Sequence, residues 1–303
     1  MRSGKTRQRR NDMQTVGIVG LGIMGSRMAA NLVTAGFDVI GYNRSEAALT
    51  ELVERGGRRA DSIAEVASAA QVIVLMLPDS PDVEAVVSGA GGVFANAATG
   101  SIVIDCSTIS PPVATRLAAE AARAGIAMLD APVSGGAQGA ADATLSIMVG
   151  GDPATLEQVR PVLGAMGSTI VHVGPAGSGQ AVKAANQLVV GGTIALVAEA
   201  IVLLEALDVP AGPALEVLKG GLAGSKVLEV KSAAMLAGDF TPGFRIELHD
   251  KDLGIVTAAA RQAGIGLPVT GLVAQLMTAA KARGLGGSDH GALLALAREF
   301  AGR

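Results

Sequence analysis

The sequence predicts an α/β fold, a doubly wound and mainly parallel sheet followed by an all-helical C-terminal domain. Three observations carry that prediction. Short apolar runs alternate with helical stretches through the first half, a glycine-spaced turn joins the first run to the first helix, and beyond about residue 177 only helical patterns follow. Apolar runs of about five residues between helical stretches of about ten mark a parallel sheet with crossover helices. Strands are expected at 15–19, 38–42, 71–75, 101–105 and 127–130, with 145–149 and 169–173 at the far edge of the same sheet. Helices are expected between them at 26–34, 46–54, 62–67, 81–87 and 112–124. Past Gly174-Pro175-Ala176-Gly177, one long helical pattern spans 180–206, and shorter ones follow near 214–219, 226–237, 251–263, 269–282 and 290–300. The domains expected are therefore 13–177 and 178–303, behind a basic, polar leader over 1–12 that is read as disordered.

Gly20-Leu21-Gly22-Ile23-Met24-Gly25 is the most informative stretch, because it lies between a buried strand and an amphipathic helix. In a Rossmann-type turn the first glycine permits the tight bend, the second lets backbone approach a pyrophosphate, and the third lets helix and strand pack closely. The helix N-terminus then offers free N–H groups and a positive dipole end to phosphates. A glycine-rich turn without a ligand is the competing reading, and the strand-to-helix placement disfavours it.

Composition narrows the class further. Half of the 303 residues are hydrophobic and 17% are charged, so a large core is available, and with no Trp, one Tyr and five Phe it must be aliphatic. A net charge of −3 argues against a nucleic-acid surface. The single cysteine, Cys106, excludes an intrachain disulfide framework, reads as a buried structural thiol rather than a nucleophile, and fits a reducing, cytoplasmic setting. The longest charge-free apolar run, 184–198, is shorter than the roughly 20 residues a spanning helix needs, so no membrane segment is expected. The long helix is apolar around most of its circumference, which predicts burial in the domain or against another subunit, as in a homodimer or homotetramer.

The second strand ends in Asn43-Arg44-Ser45, where an NAD site usually places an acid for the ribose hydroxyls. Arg44 can clamp a 2′-phosphate, with Asn43 and Ser45 donating to it, so NADP is preferred and NAD remains the alternative. Leu77 and Pro78 after the 71–75 strand, and Thr108 after the 101–105 strand, are expected to line the nicotinamide ribose, since ligands sit at the carboxyl ends of parallel strands. In Asp130-Ala131-Pro132-Val133-Ser134-Gly135-Gly136, the Ser134 hydroxyl and the Gly135 and Gly136 amides can bind a substrate carboxylate, although a plain glycine turn has the same composition. Lys183 and Asn186 share one face of the long helix. A lysine among apolar neighbours must snorkel, pair or work, and desolvation loosens an ammonium's hold on its proton, which suits exchange with an alcohol oxygen.

Gly20-x-Gly22-x-Met24-Gly25-x-x-Met28-Ala29-x-Asn31-Leu32, the Asp130–Gly136 stretch and Lys183-x-x-Asn186 together resemble the β-hydroxyacid dehydrogenases, over essentially everything after Met13. Within that family, Gly220-Gly221-Leu222-Ala223-Gly224-Ser225, Pro242-Gly243-Phe244-Arg245-Ile246 with Leu248-His249-x-Lys251-Asp252-Leu253, and Gly284-Leu285-Gly286 with Asp289-His290 are similar to the tartronate semialdehyde reductases. The Asn43-Arg44-Ser45 turn instead resembles the NADP-using glyoxylate reductase branch. The resemblance implies a reductase of a short semialdehyde acid, first of all 2-hydroxy-3-oxopropionate to D-glycerate. Lys183 is then the general acid, Asn186 the holder of the substrate oxygen, and Ser134, Gly135 and Gly136 the carboxylate site. It also implies that Lys251 contacts the cofactor and that Phe244 and Asp252 lie near the substrate; without it, Lys251 and Asp252 read as a solvated helix start.

Alternative activities within the family are 3-hydroxyisobutyrate dehydrogenase and glyoxylate or succinic semialdehyde reductase. Imine reductases share the architecture but replace the lysine, and Lys183 argues against that assignment. A cofactor-binding but catalytically silent interaction module is the alternative from another class, and such relatives lose the lysine.

Overall fold

The computed structural model describes residues 14–303, so the leader expected over 1–12 lies outside the described residues. The chain forms two compact units, which meet after Lys183 within one helix.

The first unit alternates strand and helix. Its elements are β1 (Thr15–Val19), α1 (Gly25–Thr34), β2 (Asp38–Tyr42), α2 (Glu46–Glu54), β3 (Arg58–Arg59), α3 (Ile63–Ala69), β4 (Val72–Leu75), α4 (Ser80–Ser88), α5 (Val93–Asn96), β5 (Ile102–Asp105), α6 (Pro111–Arg123), β6 (Ala127–Asp130), β7 (Val133–Ser134), α7 (Gly136–Ala141), β8 (Leu145–Gly150), α8 (Pro153–Gly164) and β9 (Gly167–Gly174). The sheet order is β3-β2-β1-β4-β5-β6-β8-β7, with β9 beside β8. From β3 to β6 every pairing is parallel; β8 runs antiparallel to β6 and β7, and β9 is parallel to β8. The order reverses between β1 and β4, which is where a ligand crevice opens in such sheets.

Continuous apolar strands form because both faces are covered. Val72 and Val74 of β4 enter one buried cluster with Met28 and Leu32 of α1, whereas Ile73 and Leu75 enter the other with Val83 of α4 and Leu117 of α6. Capping fixes the helix starts. Ser62 accepts from the Glu65 amide at 3.1 Å, and Asp152 accepts from the Thr155 amide at 2.8 Å. The exposed edge strand β3 is two arginines long, which blunts it against further pairing.

Helix α9 (Ser178–Ala206) carries the chain into the second unit, whose further elements are α10 (Ala211–Gly220), α11 (Lys226–Ala237), α12 (Ile246–Gln262), α13 (Pro268–Ala280) and α14 (Leu293–Phe300). A π-turn at Lys281–Leu285 and a short 3-10 turn at His290–Ala292 connect the last two. Ile194, Ile246, Leu253, Val273 and Met277 form one core cluster, and Ile201, Leu215, Leu228, Met235 and Leu294 a second. At 29 residues, with mean hydropathy 2.1 in its most apolar 18-residue window, α9 is long and apolar enough by composition to cross a bilayer; 44% of that window is buried. The apolar run counted from the sequence is shorter because it starts after Lys183.

Candidate active site

The first unit places the glycine turn where the sequence puts it. Gly20 adopts φ +97°, a conformation that disfavours a side chain, and a Cβ there would collide with the carbonyl oxygen of Met76. A Cβ on Gly25 would collide with the carbonyl of Gly20, so helix and turn touch backbone to backbone. Gly22 has no atom within 4 Å of where its Cβ would stand. That open side, beside an α1 N-terminus without a side-chain cap, fits a dinucleotide pyrophosphate. Gly20, Leu21, Gly22, Ile23, Met24 and Gly25 are therefore the residues that would hold it.

At the end of β2, Arg44 and Ser45 are exposed and Asn43 is half-buried. The Asn43 side-chain oxygen accepts from the Leu21 amide at 3.0 Å, so this residue braces the glycine turn and keeps only its NH2 for a ligand. Arg44 forms no ion pair among the described residues, leaving its guanidinium open to an anion.

The loops after β4 and β5 are tied together. The Leu77 amide donates to Ser107 Oγ at 2.9 Å, and Ser107 donates its own amide to Asp105 Oδ1 at 3.0 Å. Gln180, in the first turn of α9, clamps the second loop. Its Oε1 accepts from the Ile109 amide at 3.0 Å and its Nε2 donates to the Ser107 carbonyl at 2.8 Å. Leu77, Pro78 and Thr108 lie in these two loops, at the carboxyl ends of β4 and β5. Cys106 is buried beside Asp105, and burial first, then that carboxylate, pushes its thiol far up, so it is structural.

Asp130 sets the start of α9. Its oxygens accept from the amides of Gly177 at 2.8 Å and Gln180 at 2.9 Å. Burial raises its carboxyl above the ordinary range, and these backbone donors oppose the rise. Lys183 then stands one turn into the helix, 7% exposed, and its Nζ donates to the Val133 carbonyl at 2.8 Å. Val133 immediately precedes Ser134, Gly135 and Gly136, and the two glycines take φ +140° and +63° at the start of α7. A buried ammonium and an exposed glycine nest therefore adjoin along β7, which can hold a carboxylate and deliver a proton beside it.

In the second unit, Asn186, Phe244, Lys251 and Asp252 form a connected set. The Asp252 side chain is 1% exposed and pairs with Lys251 Nζ at 2.7 Å; α12 begins five residues before Lys251, so the pair is no solvated helix start. Asp252 Oδ2 also accepts from Gln187 Nε2 at 2.6 Å, and Gln187 Oε1 accepts from Asn186 Nδ2 at 2.8 Å. Phe244 packs edge-on against His249, ring centroids 5.6 Å apart. Sequence reasoning passed over Gln180 and Gln187. Both are polar residues in an apolar run, the signal that singled out Lys183.

A family model described as the NAD binding domain of 6-phosphogluconate dehydrogenase matches residues 15–174. A second, described as NAD-binding of NADP-dependent 3-hydroxyisobutyrate dehydrogenase, matches residues 177–297. The chain is 36% identical to 2-(hydroxymethyl)glutarate dehydrogenase of Eubacterium barkeri over 288 residues, 95% of this chain and 96% of that protein. It is 38% identical to 2-hydroxy-3-oxopropionate reductase of Escherichia coli over 279 residues, 92% and 95% of the two chains. The crystal structure of 3-hydroxyisobutyrate dehydrogenase from Salmonella typhimurium superposes with a TM-score of 0.87 at 32% identity, covering 93% of this chain and 99% of that one. The fold, the glycine turn and these matches define an NAD(P)-dependent oxidoreductase acting on hydroxyacids. The chain belongs to the β-hydroxyacid dehydrogenase family.

Proposed function

We propose that this protein is an NADPH-dependent reductase of short semialdehyde acids, with 2-hydroxy-3-oxopropionate, reduced to D-glycerate, as its first candidate substrate. The hydrogen bond from Lys183 Nζ to the Val133 carbonyl, next to the Ser134-Gly135-Gly136 turn, carries this reading. That turn binds the carboxylate, which orients the rest of a short acid towards the ammonium. The reduced nicotinamide, when bound, supplies the hydride to the carbonyl carbon. Lys183 gives its proton to the carbonyl oxygen and recovers one from solvent, and Asn186 holds the same oxygen. Arg44, with no acid beside it at the end of β2, supports NADPH over NADH, and the reduced form of that cofactor favours the reductive direction.

3-Hydroxyisobutyrate is the second reading, favoured by the named relative in the structural match. It differs from D-glycerate by a methyl in place of the 2-hydroxyl, and a site that hydrogen-bonds a hydroxyl rejects the analogue lacking it. A panel of 2-hydroxy-3-oxopropionate, glyoxylate, succinic semialdehyde and 3-hydroxyisobutyrate, each assayed with both nicotinamide cofactors, tests the assignment. Higher kcat/KM for 3-hydroxyisobutyrate with NAD than for any semialdehyde with NADPH overturns it.

The same reading includes a homo-oligomer. Val189, Leu196 and Leu203 of α9 are 64%, 67% and 61% exposed and recur every seven residues, which draws one apolar stripe along the helix. Beside it lies an apolar groove of about 360 Å³ between α9, α13 and α14, lined by Leu276, Leu296 and Phe300 with Glu199 its one charged residue. A second copy presenting the same stripe covers this face in a two-fold dimer, on its own or within a tetramer. The assembly is assigned to the cytoplasm, where the single buried cysteine stays reduced.

A further inference from the structure

The second unit buries two histidines that the proposed chemistry does not use. His249 of α12 is 0% exposed and His290 is 5% exposed, and their Nδ1 atoms face each other at 3.0 Å. His249 Nε2 lies 3.1 Å from the backbone carbonyl of Gln187. A carbonyl only accepts, so His249 carries a proton on Nε2 and donates it to the carbonyl of Gln187. The 3.0 Å contact places one more proton between the two facing Nδ1 atoms, which ties His290 to His249 and through it to the α9 backbone. The imidazole reaches the α9 backbone because residue 191 is glycine; a Cβ there would stand 3.1 Å from His249 Nε2.

The Gln187 side chain is fixed in the same way. The Asp252 carboxylate accepts only, so the Gln187 NH2 points to it and the Gln187 oxygen faces Asn186. Asn186 must then turn its NH2 to Gln187, which uses one of its two N–H bonds and leaves the other, with Oδ1, to present to the substrate oxygen.

We propose that the His290–His249 pair is a positioning device that holds the helical turn of Asn186 and Gln187, and with it the amide face Asn186 presents to substrate. This rests on the reading of Asn186 as a substrate contact. Phe244, 5.6 Å and 5.5 Å from the two rings, closes the pair, and Asp289, bound to Lys231 Nζ at 2.7 Å, flanks His290. Burial pushes the His290 imidazole well below its ordinary value, which keeps that ring neutral at neutral pH.

The test uses the cofactor-loaded enzyme and its best substrate from the panel. His249→Phe keeps a ring but loses the donor, whereas His249→Gln keeps an N–H. His249→Phe is expected to lower kcat about tenfold, as loss of one orienting hydrogen bond does, with NADPH affinity unchanged, and His249→Gln to recover most of it. Side-chain 15N spectra of the wild type should show His249 protonated at Nε2, the nitrogen that faces the Gln187 carbonyl. Equal loss in both variants, unchanged kinetics in His249→Phe, or a His249 without a proton on Nε2 overturns the positioning role. A wild type that turns over nothing in the panel overturns the functional reading instead, and the 15N spectra still decide the tautomers.

Discussion

Replacing Lys183 separates the proposed acid from a merely packed lysine. The side chain is 7% exposed, and its hydrogen bond of 2.8 Å to the Val133 carbonyl lies beside the Ser134–Gly136 turn and not at the Gly20–Gly25 turn. Lys183→Met fills much the same space and cannot donate. Leaving the Val133 carbonyl without this donor costs about 1–3 kcal/mol of stability. The loss of a positioned general acid costs about 10²- to 10⁴-fold in kcat, or about 3–5 kcal/mol of barrier. Lys183→Arg is the sharper control, because it can still donate to Val133 yet holds its proton too tightly to transfer it. Steady-state reduction, followed by nicotinamide absorbance, should fall by at least about 100-fold in both variants. NADPH affinity, read by fluorescence titration, should stay within about twofold, since neither change touches the phosphate loop. A kcat within about fivefold of wild type in either variant would refute the assignment, because no positioned acid contributes so little.

Arg44→Glu should weaken NADPH roughly tenfold to a hundredfold, the worth of a charge-assisted contact of about 1.5–3 kcal/mol, and leave NADH nearly unchanged; an unaltered ratio of the two dissociation constants removes the phosphate clamp. Leu196→Glu with Leu203→Glu should convert the assembly to a smaller species by light scattering, because charges would face charges along the α9 stripe; a wild-type monomer at micromolar concentration would contradict the oligomer. Burial holds the native His290 below its ordinary 6.5, so the unfolded chain binds more protons just below that value. Its contribution is complete above pH 6.5 and is lost as pH falls towards the lower native value, at no more than about 1.4 kcal/mol per pH unit. Denaturation midpoints should therefore fall on acidification, and less steeply in His290→Phe; equal slopes would mean the pair does not titrate as described.

The parallel part of the sheet was legible because β1, β2, β4, β5 and β6 are apolar runs bounded by polar or glycine residues, and both faces of each are buried. Its far edge was legible only in part. Helix α8 opens with the start signal Asp152-Pro153, yet Pro161 interrupts its pattern and hides it. The two-residue strand β7 and the six-residue α7 are too short to have a period. Of the site, the glycine turn and Ser134–Gly136 show in the sequence because backbone conformation demands glycine there. Gln180, Gln187 and the two histidines act through contacts across 41 to 73 residues of chain, and no local spacing announces those.

Helix α9 inverts the usual rule of surface helices, and this explains why its periodicity alone misleads. Gln180, Lys183 and Gln187 are spaced three and four apart and are all buried, whereas Val189, Leu196 and Leu203, spaced by seven, are exposed. A buried polar stripe persists only where each group is hydrogen-bonded, and here each one is: Gln180 to the loop after β5, Lys183 to Val133, Gln187 to Asp252. An exposed apolar stripe persists only where something covers it. The two stripes therefore ask different things of one helix, an ordered set of partners on one side and, in the proposed oligomer, a second copy on the other. A substitution on the apolar side should change assembly before it changes chemistry, and one on the polar side the reverse.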